Sequence, residues 1–314
     1  MNDIHKAAQI IAHGGVVAFP TETVYGLGAD ALNPVAVAKI FELKERPSFD
    51  PLIVHVDSFA WLEKLTKNTA SEIIRFAEHF MPGPLTIVLE KSDIVPHIVT
   101  SGLNTVGIRM PNNSIAQELI RQSGCAIAAP SANKFGQLSP SSAAHVRKQL
   151  PTVDYILDGG STNVGIESTI VAFAHNECTL LRPGIITPEE IAQYLPAGYT
   201  LNVQKTESII APGLLQSHYS PQKPLFIFDH LPDHFPPQSG LIIHTAMETP
   251  PVERCIFTSY TGNYAEVAAR LFSSLHAMED DSNIKCIYIQ SVAETGLGIA
   301  IMDRMKKAAF QYRK

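Results

Sequence analysis

The sequence predicts a two-domain α/β protein, and three observations carry that prediction. At 314 residues the chain exceeds the usual size of a single domain. Apolar runs of strand length alternate with amphipathic segments of helix length, a pattern that layers helices on sheets. A stretch with proline and glycine interrupts that alternation soon after residue 203. With 45% hydrophobic and 17% charged residues, the composition supports packed cores rather than disorder.

The elements follow in order. Residues 4–12 read as a helix because Ile4, Ala7, Ala8 and Ile11 recur at helical spacing. The run VVAF at 16–19 is an apolar strand that Pro20 ends, and the polar, glycine-bearing residues after it read as a loop. Residues 34–43 form a helix with proline in its first turn. Strands are expected at 52–56, 86–90, 106–109, 125–129 and 168–173, and helices at 69–79, 113–122, 141–150 and 188–195. This spacing is too irregular for the equal repeats of a βα barrel, so a mixed sheet is expected over residues 1–204. Residues 205–223 read as an extended connector. It carries His218 and Tyr219, which a bare spacer does not need, so tether and lid both stay open. Residues 224–314 hold strands at 225–228, 240–244, 255–258 and 286–289 and helices at 264–278 and 296–309, a small parallel α/β domain. In the last helix Ile299, Met302, Met305 and Ala309 share a face, with Arg304, Lys306 and Lys307 placed elsewhere. The run ETGLG at 294–298 lacks the third glycine of a dinucleotide fingerprint and reads as a structural turn.

Composition excludes several classes. A formal net charge of -6 argues against a wholly basic, nucleic-acid-binding surface, though it allows a local basic groove. Cys125, Cys178, Cys255 and Cys286 are far apart and form no CxxC pair, which fits reduced thiols better than a zinc site. No signal-peptide pattern opens the chain, and no apolar run reaches the ~20 residues that span a bilayer. A cytoplasmic location without membrane attachment is the expectation.

Four clusters carry chemistry. The run PTETVYGLG at 20–28 sets two hydroxyls, a carboxylate, a phenol and two glycines just past a strand. Lys44 and Arg46 end a helix, where two cations complement the dipole but also turn toward one anion. His55 lies in the next strand. Ser131 and Asn133 follow an apolar strand at a sheet edge where open α/β proteins bind ligands, and Ser139, Ser141 and Ser142 add hydroxyls, of which Ser141 can equally cap a helix. Thr105 and Arg109 share one side of a strand because their separation is even. Glu167-Ser168-Thr169 and Arg182 complete the set. There is no P-loop, HExxH, GxSxG or kinase HRD motif, and Ser131 has no motif-defined base partner.

Taken together these runs resemble the bacterial and archaeal threonylcarbamoyl-AMP synthases of the YrdC-like family in their long, two-domain form. PTETVYGLG (20–28), KERP (44–47), PLIVH (51–55), VGIRMP (106–111), APSAN (129–133), ESTIV (167–171) and LRPG (181–184) stand in family order. SHYSP (217–221) resembles the linker motif, and GLGIAIMDRMKKAA (296–309) resembles the end of the accessory domain. The likeness spans essentially the whole chain; single runs are weak, and the ordered set is specific.

The resemblance implies a YrdC-like twisted mixed-sheet domain followed by a smaller Rossmann-like parallel domain. It implies that L-threonine, bicarbonate or CO2 and ATP condense to threonylcarbamoyl-AMP and pyrophosphate, for threonylcarbamoyladenosine beside the anticodon of ANN-decoding tRNAs. A link to the tRNA threonylcarbamoyl-transferase complex follows, and direct tRNA contact is compatible with it. Mg2+ is implied, held mainly by the ATP phosphates. The implied threonine pocket comprises Thr23, His55, Arg109, Ala129 and Ser168. The implied nucleotide site comprises Lys44, Arg46, Asp50, Thr105, Ser131, Asn133, Ser139, Arg182 and Tyr219. Lys44, Arg46, Ser131 and Asn133 are the implied catalytic residues. Many relatives carry Asn where this chain has Asp50; a carboxylate there repels phosphate unless a cation is near, so a ribose or magnesium contact is the alternative. Glu45 replaces a common glycine and is expected to face solvent. A non-catalytic RNA-binding module is the main competing class. A carbamoyl-phosphate-using hydrogenase-maturation protein is another, disfavoured by the missing CxxC pairs.

Overall fold

The computed structural model describes residues 3–67, 69–203, 212–213, 218–248 and 250–312. The first half contains α1 (Asp3–Ala12), β1 (Val17–Phe19), β2 (Gly26–Asp30), α2 (Pro34–Lys44), β3 (Ile53–His55), α3 (Phe59–Leu65) and α4 (Ser71–Phe80). Next come β4 (Leu85–Glu90), β5 (Thr105–Arg109), α5 (Ser114–Ser123), β6 (Ile127–Ala128), α6 (Ala143–Gln149) and β7 (Tyr155–Ile156). Then follow β8 (Thr169–Ala174), β9 (Glu177–Arg182), α7 (Pro188–Tyr194) and β10 (Thr200–Asn202). The ten strands make one mixed sheet, ordered β10-β9-β8-β4-β5-β3-β6-β2-β1-β7.

Strand alternation puts the core on both faces of this sheet. Val16 and Ala18 join the core under α2, α3, α4 and α6, whereas Val17 and Phe19 join the one under α1 and α5. The α1–α5 layer covers only the β1–β2–β6 end of its face. Further along that face Ile53, Val88, Ile170 and Leu181 form a small separate cluster, and Pro212 of the connector lies against it.

The second half contains β11 (Leu225–Phe228), β12 (Ser239–Ile243), β13 (Arg254–Phe257), α8 (Tyr264–Asp280), β14 (Cys286–Gln290) and α9 (Leu297–Ala308). Its strands are all parallel, ordered β11-β14-β12-β13. Asn263 caps α8 by accepting from Ala265 and Glu266 N–H. The core of this half is shared with the first: Val24, Leu138 and Ile166 pack with Leu271, Phe272, Leu275 and Ile301.

Most expected elements are present, and the differences have physical causes. The segment 26–30, expected as loop, is the strand β2, paired antiparallel with β1 and β6. Its glycines are there for close approach: a Cβ on Gly28 would lie 2.6 Å from both Ile127 and Phe19. The helix expected at 69–79 is α4, and α3 precedes it unforeseen. β7, β9 and β10 are also unforeseen; two of them have two or three residues, too short to show alternation. Arg304, set apart from the apolar face of the last helix, is instead fully buried, 0% exposed. The expected boundary at 204/205 and most of the connector (204–211 and 214–217) lie outside the described residues.

Candidate active site

The loop after β1 is tied down by its own hydroxyls. Thr21 Oγ1 donates to the Val24 carbonyl (2.6 Å) and receives the Thr23 and Val24 N–H groups. Thr23 Oγ1 lies 2.9 Å from Thr21 Oγ1. Tyr25 does not serve the cavity: its phenol donates to Gly160 O (2.7 Å) and accepts from Gly159 N, locking the turn at 158–160. Glu22 faces Arg109, with Oε1 2.8 Å from Nη2, an ion pair without a well-aligned hydrogen bond.

All five residues of the expected threonine set, Thr23, His55, Arg109, Ala129 and Ser168, line one cavity. Arg46, Ser131, Arg182 and Tyr219 of the expected nucleotide set line it too. Lys44, Asp50, Asn133 and Ser139 are buried behind the wall. Lys44 ends α2, where Glu45 turns left-handed (φ 54) and leaves Lys44 and Arg46 on the inner side. Lys44 Nζ donates to the carbonyls of Ser131 (2.6 Å) and Asn133 (2.5 Å), fixing the loop after β6. Asn133 Nδ2 donates to Lys134 and Gln137 carbonyls. Asp50 pairs with Arg46 (2.9 Å), whose Nε and Nη2 also donate to the Asp50 and Pro51 carbonyls. The cation that a carboxylate at 50 requires is therefore Arg46. Thr105 does not reach the main cavity; it opens on an adjacent recess with Thr86, Val88 and Ile170. Glu45 is exposed and pairs with Lys134.

Burial sets the charge states. Desolvation, helped by Arg109, drives His55 down to about 3, so its imidazole is neutral at physiological pH, and its Nδ1 has no hydrogen-bond partner among the described residues. Desolvation and then Arg46 hold the Lys44 ammonium well below the usual lysine range. Burial opposes ionisation of Glu167, but Arg304, Arg182 and the Ser139 hydroxyl outweigh it and hold the carboxyl at about 2. Of the three guanidiniums at the cavity, Arg109 has Glu22 and Arg46 has Asp50. Arg182 pairs with no carboxylate among the described residues: Nε and Nη2 donate to Ser168 O and Oγ (3.1 Å each), and Nη1 to Pro212 O.

The connector forms the roof. Tyr219 is 1% exposed, adopts φ 62, and packs edge-on against His218 and tilted on Phe272. Its hydroxyl has no hydrogen-bond partner among the described residues. Gly213 allows this fit, since a Cβ there would sit 2.8 Å from Tyr219 Oη and 3.2 Å from Arg182 Nη1. Ser220 N–H donates to Gly136 O, pinning the segment to the loop after β6. The cavity measures about 50 Å3. That admits a few waters at roughly 10–15 Å3 each, so a nucleotide enters only when a wall moves.

Sequence reasoning assigned no role to Thr21, Glu22, Glu167 or Arg304. Glu22 and Glu167 stood inside quoted runs, but their partners Arg109 and Arg304 are distant in sequence, while Thr21 bonds locally to Thr23 and Val24. Arg304 carried a readable signal: it lies at i+3 from Ile301, with Met305 and Ala308 following, so it belongs to a buried stripe.

Comparison with known proteins agrees with this geometry. Residues 9–184 match the Sua5/YciO/YrdC family model, described as "Telomere recombination". Residues 186–310 match the model "Threonylcarbamoyl-AMP synthase, C-terminal domain". The chain is 41% identical to the threonylcarbamoyl-AMP synthase of Pyrococcus abyssi, over 98% of this chain and 94% of that protein. It is likewise 41% identical to that of Bacillus subtilis, over 98% and 92%. A crystal structure of P. abyssi Sua5 complexed with L-threonine superposes with a TM-score of 0.88 at 37% identity, covering 98% of this chain and 94% of that one.

Proposed function

Because the chain belongs to the Sua5/YrdC family of threonylcarbamoyl-AMP synthases in its two-domain form, we infer that the cavity beneath Tyr219 is where its reaction occurs. The enzyme condenses L-threonine, bicarbonate or CO2 and ATP to threonylcarbamoyl-AMP and pyrophosphate, a nucleotidyl transfer that serves tRNA modification. We assign residues 1–204 to catalysis, 205–223 to a lid and 224–314 to an accessory domain. The single observation that carries the site assignment is the convergence of Arg46, Arg109 and Arg182 with neutral His55 on one cavity.

The chemistry needs such a site. The threonine amine must be neutral to attack CO2 or activated bicarbonate, and the carbamate must then attack the α-phosphate. Both partners of the second step are anions. Preorganised guanidiniums lower their repulsion, and positioning supplies much of the rest. Arg109 takes the threonine carboxylate, Thr23 and Ser168 frame the side chain, and burial beside the guanidiniums favours the neutral amine. Arg46 and Arg182 take phosphate oxygens, and Lys44 holds the Ser131–Asn133 loop against the nucleotide. Thr105, in the adjacent recess, borders the same sheet face. Among the described residues no three His, Cys, Asp or Glu side chains converge as a metal site, and Asp50 is committed to Arg46. The described residues thus offer no magnesium cage of their own, and Mg2+ would be held mainly by the triphosphate oxygens. Hand-over to a tRNA threonylcarbamoyl-transferase complex in the cytoplasm completes the reading. Among the described residues no helix is long and apolar enough to cross a membrane.

Pyrophosphate release from ATP that requires both threonine and bicarbonate tests the assignment. Release without threonine would reject it. In the same assay serine, which lacks one methyl, is expected to lose roughly tenfold or more in kcat/KM, since a methyl in a pocket is worth about 1–3 kcal/mol. Valine should lose more, having no hydroxyl for Thr23 or Ser168. Equal rates for all three would place the amino acid elsewhere.

The roof supports a lid. With no partner for its hydroxyl among the described residues, Tyr219→Phe should change Tm little, yet lower kcat/KM for ATP about threefold to tenfold by removing one hydrogen bond to the nucleotide. Proteolysis between residues 203 and 222 should slow when threonine and ATP are both present. Unchanged cleavage together with unchanged kinetics would make the connector a tether.

A further inference from the structure

Among the described residues the accessory domain contributes no side chain to the cavity lining, yet α9 brings a fully buried arginine against Glu167, which lines it. Arg304 Nε donates to Glu167 Oε2 (2.9 Å), and Nη1 donates to Pro183 O and Asp303 Oδ2, both at 2.8 Å. Its guanidinium lies 5.7 Å from the Tyr219 ring centroid. The other Glu167 oxygen accepts from Ser139 Oγ at 2.6 Å. Both carboxylate oxygens are thereby occupied, and neither by Arg182, although Arg182 holds the neighbouring Ser168. The surrounding interface is apolar, with Val24, Ile166, Phe272, Ile301 and Met305. A buried ion pair is a poor adhesive next to well-packed apolar groups. Its placement calls for another role.

We propose that Arg304 is a positioning residue for catalysis: by engaging Glu167 it keeps Arg182 free to take the anionic nucleotide. Arg109 and Arg46 each face a carboxylate of their own, and Glu167 lines the same cavity as Arg182, next in sequence to the Ser168 that Arg182 holds. Arg304 intercepts it from the second domain. The same helix grips the roof, since Lys307 Nζ donates to Gly213 O (2.8 Å), and Asp303 bridges Lys307 and Arg304. Wall and roof are thus held by one charged segment, 303–307, of the accessory domain. This inference rests on the assignment of Arg182 to the nucleotide made above.

The test is steady-state pyrophosphate release by the full-length chain with Arg304→Met, Arg304→Lys and the double variant Arg304→Met/Glu167→Gln. Arg304→Met should raise KM for ATP about tenfold or more, because Glu167 recaptures Arg182 and its charge-assisted contact is lost. KM for threonine should stay within about twofold. Arg304→Lys should recover part of the loss. The double variant, with no carboxylate left to capture Arg182, should return KM for ATP to within about threefold of wild type. If Arg304→Met fails to fold, the other two variants still decide, because a buried pair removed as a unit is often tolerated. A lower Tm with unchanged KM for ATP, or a double variant no better than the single, would overturn the proposal. Arg182→Met separates the two levels. If it leaves KM for ATP unchanged, the site assignment fails; if it raises KM while the Arg304 variants do not, only this inference fails.

Discussion

Arg109→Met is expected to lose threonine binding and several kcal/mol of stability together. Arg109 is 4% exposed at the end of β5, beside neutral His55, and its Nη2 is 2.8 Å from Glu22. Removing it leaves Glu22 buried with its counter-ion gone, which typically costs about 3–5 kcal/mol. It also removes the fork proposed to take the substrate carboxylate. Truncating one partner of a buried charge pair costs about 2–5 kcal/mol, so the threonine Kd should rise at least about thirtyfold. The two losses come apart in Glu22→Gln/Arg109→Met. With no charge left unpaired, that variant should regain most of the Tm and none of the threonine affinity. Calorimetric titration with threonine and thermal unfolding measure the two quantities. A threonine Kd within about threefold of wild type in Arg109→Met would remove Arg109 from the carboxylate site.

The order of strands and helices was legible because the layers bury alternate side chains. Val16 and Ala18 face one core, Val17 and Phe19 the other, and that period of two is written in the sequence. β2 was not legible, because what makes it a strand is the absence of side chains at Gly26 and Gly28, and local propensity reads glycines as loop. The residues that line the cavity were legible as types in order, since hydroxyls, guanidiniums and glycines past strand ends have few structural reasons to cluster. Their pairings were not. That Tyr25 locks the 158–160 turn and that Lys44 serves two carbonyls are facts of tertiary contact, and the local Arg46–Asp50 pair depends on how the loop after α2 folds back. Arg304 shows the same limit most sharply. Its spacing from Ile301 places it on the buried stripe, but nothing local names the group it meets there, Glu167, 137 positions away.

A chain ended at Val203 should lose at least about a hundredfold in kcat/KM for ATP, through three separable losses. The first is packing. Val24, Leu138 and Ile166 sit in a core built mostly by α8 and α9, and exposing a buried aliphatic side chain costs about 1.5–3 kcal/mol. The truncated domain should therefore melt lower and expose an apolar patch to a hydrophobic dye. The second is the hold on the wall: Ser139 O loses His276 Nε2 (3.1 Å), His145 loses its stacked partner His276, and Glu167 loses Arg304. The third is the roof, since Tyr219 and the segment that pins to Gly136 are gone. Packing alone would lower Tm and leave the kinetics of the folded fraction intact, whereas loss of wall and roof must appear in KM for ATP and in escape of the adenylate to hydrolysis. Measuring pyrophosphate released per threonylcarbamoyl-AMP retained distinguishes them. If the 1–203 fragment keeps the wild-type ratio and the wild-type KM for ATP, the accessory domain is only a stabiliser. A ratio that climbs as the roof is removed means that the second domain keeps the product dry.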